Sequence, residues 1–191
     1  MAPTPRHVPA QVRLAGIELR LGEYASAVQL AQQALDRDPA NLEANLTLVR
    51  SLIERREFDR AAAASQTLLS RFPEVGSAHT QAGLVAMRKG DRAGARAAFE
   101  KALSLEPLLL EPLGNLASLD IADRQGARAR ARLDARLKKT PRDSAVLVVA
   151  AQTWAATGDL VTAEAFLRRA IDADAANLDA YQQLAFVYIS Q

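Results

Sequence analysis

The chain of 191 residues sets 24 Lys plus Arg against 22 Asp plus Glu, for a formal net charge of +2, and 49% of its residues are hydrophobic. That balance leaves ample apolar material for burial and lacks the basic excess that marks a nucleic-acid binder. With no cysteine and only His7 and His79 as histidines, disulfides, thiolate nucleophiles and cysteine metal sites are excluded, while reducing and oxidising compartments, cytoplasmic or periplasmic, both stay open.

The opening Met1-Ala2-Pro3-Thr4-Pro5-Arg6 is broken by proline and has no apolar core of the length a secretory signal needs. The longest wholly apolar runs, such as Ala145 to Ala151, fall far short of the roughly 20 residues of a membrane helix. Pro5 starts a ladder continued by Pro39, Pro73, Pro107 and Pro141, each 34 residues on, and Ala27, Ala61, Ala95, Ala129 and Ala163 keep the same step. A fixed period of this kind denotes a repeat array, whose units bury their apolar faces only against their neighbours. The units are read as 8–41, 42–75, 76–109, 110–143 and 144–177, followed by an unpaired first helix from 178 to 191. Thr4-Pro5-Arg6 matches Thr140-Pro141-Arg142, so the leader 1–7 reads as the remnant of a preceding unit.

Each unit shows two helical stretches separated by a turn. In the first, Ile17 to Leu21 alternates as a strand would, but the register of the sister units favours helix. Gly22-Glu23, Gly90-Asp91 and Gly158-Asp159 occupy the turns; glycine there accepts a left-handed backbone, and the acidic residue suits the start of the second helix. Arg56 and Arg124 replace the glycine in the alternate units and are expected to cost more there. In the second helices the alanine ladder lets helices approach closely, and Leu35, Leu69, Leu103, Leu137 or Ile171, eight residues on, supplies bulk for the core. Asn41 and Asn177 are expected as N-caps of the helices that follow them.

These features resemble the tetratricopeptide repeat family: 34-residue helix-turn-helix units with Gly-Asp/Glu at the turn, alanine in the second helix and proline at the end. The first helices carry the matching pairs Leu14-Ala15, Leu48-Val49, Ala82-Gly83, Leu116-Ala117, Ala150-Ala151 and Leu184-Ala185. Trp154 and Tyr188 stand where the family favours an aromatic; Glu18 and Asp120 depart from it, and Arg136 replaces a usually buried alanine. The resemblance implies an all-α fold, a right-handed superhelical solenoid of antiparallel helix pairs with first helices lining a concave groove and second helices forming the outer wall. The richness in alanine and arginine is similar to that of proteins from high-GC bacteria.

On that layout the partner groove comprises Val12, Leu19, Leu46, Arg50, Ile53, Leu84, Met87, Arg88, Ile121, Val148 and Gln152. Members that clamp a peptide carboxylate present lysine and asparagine at such places; Val12, Leu46 and Val148 argue against that clamp here and for an amphipathic helix or an extended apolar peptide. Arg128, Arg132 and Arg136, four residues apart on one helix face, make a basic ridge on the outer wall; without interleaved aromatics it argues against nucleic acid and fits solvated charge. Leu184, Phe186, Val187 and Tyr188 form a stretch apolar on every side, expected to drive self-association or to belong inside a longer array. No catalytic residue, metal site or cofactor is expected, because no carboxylates or histidines are spaced to converge on a pocket. The reading is a protein-interaction scaffold that takes a peptide or helix, with a self-assembling homo-oligomer as the alternative.

Overall fold

The computed structural model describes residues 8–190, and the leader 1–7 lies outside them. Among the described residues eleven α-helices follow one another with no strand. They are α1 (Val8–Leu21), α2 (Tyr24–Leu35), α3 (Leu42–Glu54), α4 (Phe58–Arg71), α5 (Gly76–Arg88), α6 (Arg92–Leu105), α7 (Leu110–Ala122), α8 (Gly126–Lys139), α9 (Ser144–Ala156), α10 (Leu160–Ala173) and α11 (Leu178–Ser190). The odd-numbered helices begin 34 residues apart, at Val8, Leu42, Gly76, Leu110, Ser144 and Leu178. The alternating stretch Ile17 to Leu21 is the end of α1, whose Val12 and Ala15, one turn apart, supply the buried face. No helix among the described residues is long and apolar enough to cross a membrane.

The turns inside each pair are short because their backbone reverses in the left-handed region. Gly22, Gly90 and Gly158 have φ of 82°, 82° and 87°, and Arg56 and Arg124 adopt 62° and 60° at the corresponding places. Asp91 and Asp159 then cap the second helices, accepting from Gly94 N at 2.8 Å and Thr162 N at 3.0 Å. Between pairs, Asn41 accepts from Ala44 N at 3.0 Å and Asn177 from Ala180 N at 3.1 Å, as their side chains suit, and Asp143 does the same for Val146 N at 3.2 Å. Val75 has no side-chain oxygen to cap α5, and Glu106 reaches over from the end of α6, accepting from Gly76 N at 2.6 Å.

The helices gather into two compact units, Met1–Leu109 and Leu110–Gln191. In the first, each helix from α1 to α6 packs on the next, and α3 also packs on α1 and α5. In the second, each helix from α7 to α11 packs on the next, and α9 also packs on α7 and α11. The alanine ladder sits at the centre of these contacts: Ala27, Ala61, Ala95, Ala129 and Ala163 are all 0% exposed. The aliphatic eight residues on is buried at Leu35 and Leu137 and half-buried at Leu69, Leu103 and Ile171, since eight residues turn a helix about 80° past the alanine. Volumes are matched locally. A Cβ on Gly83 would fall 2.4 Å from the Phe99 ring, so the buried ring occupies the space that glycine leaves on the facing helix.

Candidate functional site

In the second unit the seam between α7 and α9 opens into a hollow of about 560 Å³. From α7 it is lined by Leu110, Glu111, Gly114, Asn115, Ser118 and Ile121, which recur every three or four residues and so share one helix face. From α9 come Val149, Gln152, Thr153 and Ala156. Gly114 and Ser118 are small and leave room on the α7 side of the hollow. An ideal Cβ on Gly114 would meet only Val149 Cγ1, at 3.7 Å, so the backbone does not demand glycine and a side chain there would enter the hollow. Asn115 Nδ2 donates to the Glu111 carbonyl at 2.8 Å.

A second hollow of about 420 Å³ lies among α9, α10 and α11, with Ala155, Leu167, Gln183 and Phe186 in its wall. Gln152 and Ala156 line both hollows, which therefore lie beside the same stretch of α9. In the first unit a hollow of about 480 Å³ lies among α2, α3 and α4, off the first-helix seam. Its polar groups are used within the fold: Asn45 Nδ2 donates to the carbonyls of Pro39 and Asn41 at 3.1 and 2.8 Å, and Arg71 also donates to Pro39 O.

The expected groove residues divide by burial. Val12, Ile53 and Val148 are each 3% exposed; they pack between helices and offer a ligand no surface, which corrects their assignment to the groove. Leu19, Leu46, Arg50, Leu84, Met87 and Ile121 are half-buried, and Arg88 and Gln152 are exposed. Leu46 and Leu84 rest on the core of the first unit, and Arg50 pairs with Glu54 at 3.6 Å. Only Ile121 and Gln152 of the expected set line the seam hollow. Glu111, Asn115, Val149 and Ala156 were missed. Val149 and Ala156 stand near expected positions on α9, and Asn115 and Glu111 continue the three- to four-residue step back from Ile121 along α7, so a longer stripe on both helices would have included them.

Models of the tetratricopeptide repeat match residues 18–82, 76–109 and 115–177. The chain belongs to the tetratricopeptide repeat family. Among solved structures it is similar to a thermophilic tetratricopeptide repeat protein of Thermus thermophilus, with 19% identity and a TM-score of 0.81 over 95% of this chain and 99% of that one. YrrB, a repeat protein with an unusual peptide-binding site, is 17% identical with a TM-score of 0.54 over 90% and 89% of the two chains. The first repeat module of Spaghetti (RPAP3), bound to an HSP90 peptide, is 17% identical with a TM-score of 0.57 over 62% of this chain and 94% of that one. No curated protein sequence matches the chain significantly.

Within the tetratricopeptide repeat 110–143 the arginine ridge is solvated only in part: the Arg128 side chain is 47% exposed, that of Arg132 22%, and Arg136 is buried. Asp120, in the place of the family's aromatic, is 0% exposed and draws the arginines of α8 inward: Arg132 Nε donates to Asp120 Oδ2 at 2.8 Å and Arg128 Nε lies 3.8 Å from Oδ1. Arg136 is 7% exposed and its Nε donates to Thr140 Oγ1 at 3.2 Å. The physical reason is that a carboxylate at a packed position needs hydrogen-bond donors or a cation beside it to replace its lost hydration. Arg130 lies over the Trp154 ring, 5.3 Å from its centroid, and donates to Thr157 Oγ1 at 2.9 Å. Hydrogen bonds from the backbone and side chain of Thr162 hold the Asp159 carboxyl below its ordinary value, and Arg130 adds to the effect. No group of three or more His, Cys, Asp or Glu able to hold a metal ion occurs among the described residues.

The last helix of the array has one face turned in. Val187 is 2% exposed and packs inward with Ala180, so it leaves the set expected to self-associate, and Leu184 is half-buried. Phe186 and Tyr188 remain 63% and 45% exposed. The Tyr188 hydroxyl reaches α10, accepting from Arg168 Nη2 at 2.7 Å and donating to Glu164 Oε1 at 3.2 Å.

Proposed function

We propose that the chain is a non-enzymatic scaffold that recruits a protein segment into the seam between its first helices. The hollow between α7 and α9 carries this reading: it is largely apolar in lining, with the small residues Gly114 and Ser118 leaving room on the α7 side. Peptide binding by the similarly folded YrrB and by the Spaghetti module supports it. The seam draws its affinity from apolar burial, and Asn115, Ser118, Thr153 and Gln152 supply polar groups that fix orientation.

Gly114→Leu tests the reading. The new side chain fills the hollow from a position where a Cβ makes an ordinary contact, and replacing glycine in a helix interior adds about 0.5–1 kcal/mol of stability. The expected outcome is loss of peptide binding, measured by fluorescence anisotropy, in a variant at least as stable as the parent. Undiminished binding by a folded Gly114→Leu chain would move the site elsewhere.

The outer face of α11 favours a second reading, a homo-oligomer. Leu178, Tyr181, Phe186 and Ile189 are 72%, 45%, 63% and 86% exposed, which is much apolar area for one helix to leave uncovered.

A further inference from the structure

We propose that the outer face of α11 takes one amphipathic helix of a partner protein, antiparallel to α11 and bearing an alanine with a leucine four residues after it. This face is distinct from the seam between first helices, and the inference does not rest on the reading of that seam.

The register of the repeats states what kind of surface the face is. By its place α11 is a first helix, starting 34 residues after α9, and each first helix before it packs on the second helix that follows. Ala185 stands in the register of Ala15, Val49, Gly83, Ala117 and Ala151. All five are buried, whereas Ala185 is exposed. The contrast repeats one turn to either side: Tyr181 is exposed where Leu113 and Leu147 are buried, and Tyr188 is exposed where Asp120 and Trp154 are buried. Asp120 and Trp154 meet the second helix that follows them, the one through Arg132 and the other through Phe166, whose ring centroid lies 5.1 Å away. Among the described residues α11 packs on α9 and α10 alone, with Ala180 and Val187 buried. The stripe of Tyr181, Ala185 and Tyr188 therefore repeats a helix-docking surface whose helix is not among them.

Volume names the side chain that fits it. Sixteen residues after each of the five buried positions come Ala31, Ser65, Phe99, Leu133 and Leu167, all buried on second helices. Large stands against small: Val49 has Ser65, and Gly83 has Phe99, whose ring a Cβ on Gly83 would strike. Ala117 and Ala151 each have a leucine. Ala185 accordingly leaves room for leucine and too little for phenylalanine. In α10 that leucine follows Ala163 by four residues, Phe166 precedes it directly, and Ala170 lies a turn beyond. Both alanines are fully buried, so a helix of this pattern brings its backbone close. The Tyr188 hydroxyl is held by Arg168 and Glu164 of α10, which fixes the ring before a partner arrives. A second α11 cannot supply the pattern, because its own alanine four residues before a leucine, Ala180, is buried inward.

The full chain is titrated with a labelled peptide copying the 14 residues Leu160–Ala173, kept helical by a side-chain bridge between positions 165 and 169, both exposed in α10. Fluorescence anisotropy is expected to show saturable binding, unchanged in Gly114→Leu. Ala185→Leu abolishes it in a chain still folded by circular dichroism, since the position is exposed. Leu167→Phe in the peptide weakens binding to the parent about tenfold or more, as overpacking does. Ala185→Gly recovers the phenylalanine peptide, reproducing the match of Gly83 with Phe99. Binding that Gly114→Leu abolishes and Ala185→Leu spares would place the helix in the seam, overturning this inference while sustaining the seam as a site. A phenylalanine peptide bound alike by the parent and Ala185→Gly would overturn it as well. So would a peptide that does not bind at all; self-association lost in Ala185→Leu would then give the face to a second copy.

Discussion

Arg56 and Arg124 hold φ of 62° and 60°, the backbone that Gly22, Gly90 and Gly158 adopt in the other turns. An L-residue pays about 1 kcal/mol in that region, where Cβ crowds the following carbonyl. Both arginines are exposed. Arg124→Gly is therefore expected to raise the unfolding free energy by up to about 1 kcal/mol, less the extra chain entropy of glycine. Urea titration should show a higher midpoint at an unchanged slope. This strain was legible in the sequence because it is a property of the backbone, and aligned turns share a backbone. Burial was not legible in the same way. Val12 and Leu46 hold equivalent places in α1 and α3, yet Val12 is 3% exposed and Leu46 is half-buried. Their exposure is set by side chains on neighbouring helices, which differ from repeat to repeat even where the register does not.

The pair α7 and α8 shows the same limit for an element. The four-residue step of Arg128, Arg132 and Arg136 correctly placed them on one face of α8, but a charged face is by default solvated, and this one is turned toward Asp120. A signal was present: Asp120 occupies the register of Trp154, an aromatic 8% exposed, so a carboxylate at that packed place calls for a cation on the facing helix. Asp120→Ala removes the carboxylate and leaves Arg132 without its 2.8 Å partner. With Asp120 buried but the Arg132 side chain 22% exposed, losing this charge-assisted hydrogen bond should cost about 1.5–3 kcal/mol, whereas the exposed Asp134→Ala should cost less than about 0.5 kcal/mol. Asp120→Leu combined with Arg132→Leu should recover most of the loss, because two apolar side chains pack against each other where a carboxylate and a guanidinium had to be desolvated. Denaturant unfolding of the three variants separates an internal ion pair from a surface ridge: equal small effects at Asp120 and Asp134 would restore the ridge. With two arginines directed at Asp120 and the third buried, α8 also offers nucleic acid less free charge than its composition suggests.

For the molecule as a whole, the remaining question is whether α11 brings two copies together. Opposite its buried Ala180 and Val187, one broad face presents Leu178, Ala185 and Ile189, with Tyr181 and Phe186 on its flanks. Asp179 is the only ionised side chain on the helix, so two such faces meet with little like-charge repulsion. The size of the contact bounds its strength. A helix of 13 residues is about 20 Å long, and one face of that length buries well under the 1,200–2,000 Å² total of a standard stable interface. The association should accordingly be weak. Light scattering across a wide concentration range is expected to show a mass that climbs from one chain toward two, never a dimer that persists on dilution. Ile189→Glu places a charge at the centre of the face, on a side chain 86% exposed and therefore unneeded by the fold, and should hold the chain monomeric throughout. If the parent is already monomeric at the highest concentration, the apolar face of α11 does not bind its own copy, and self-assembly drops out as an account of the chain. If Ile189→Glu associates as the parent does, the copies meet through some other surface.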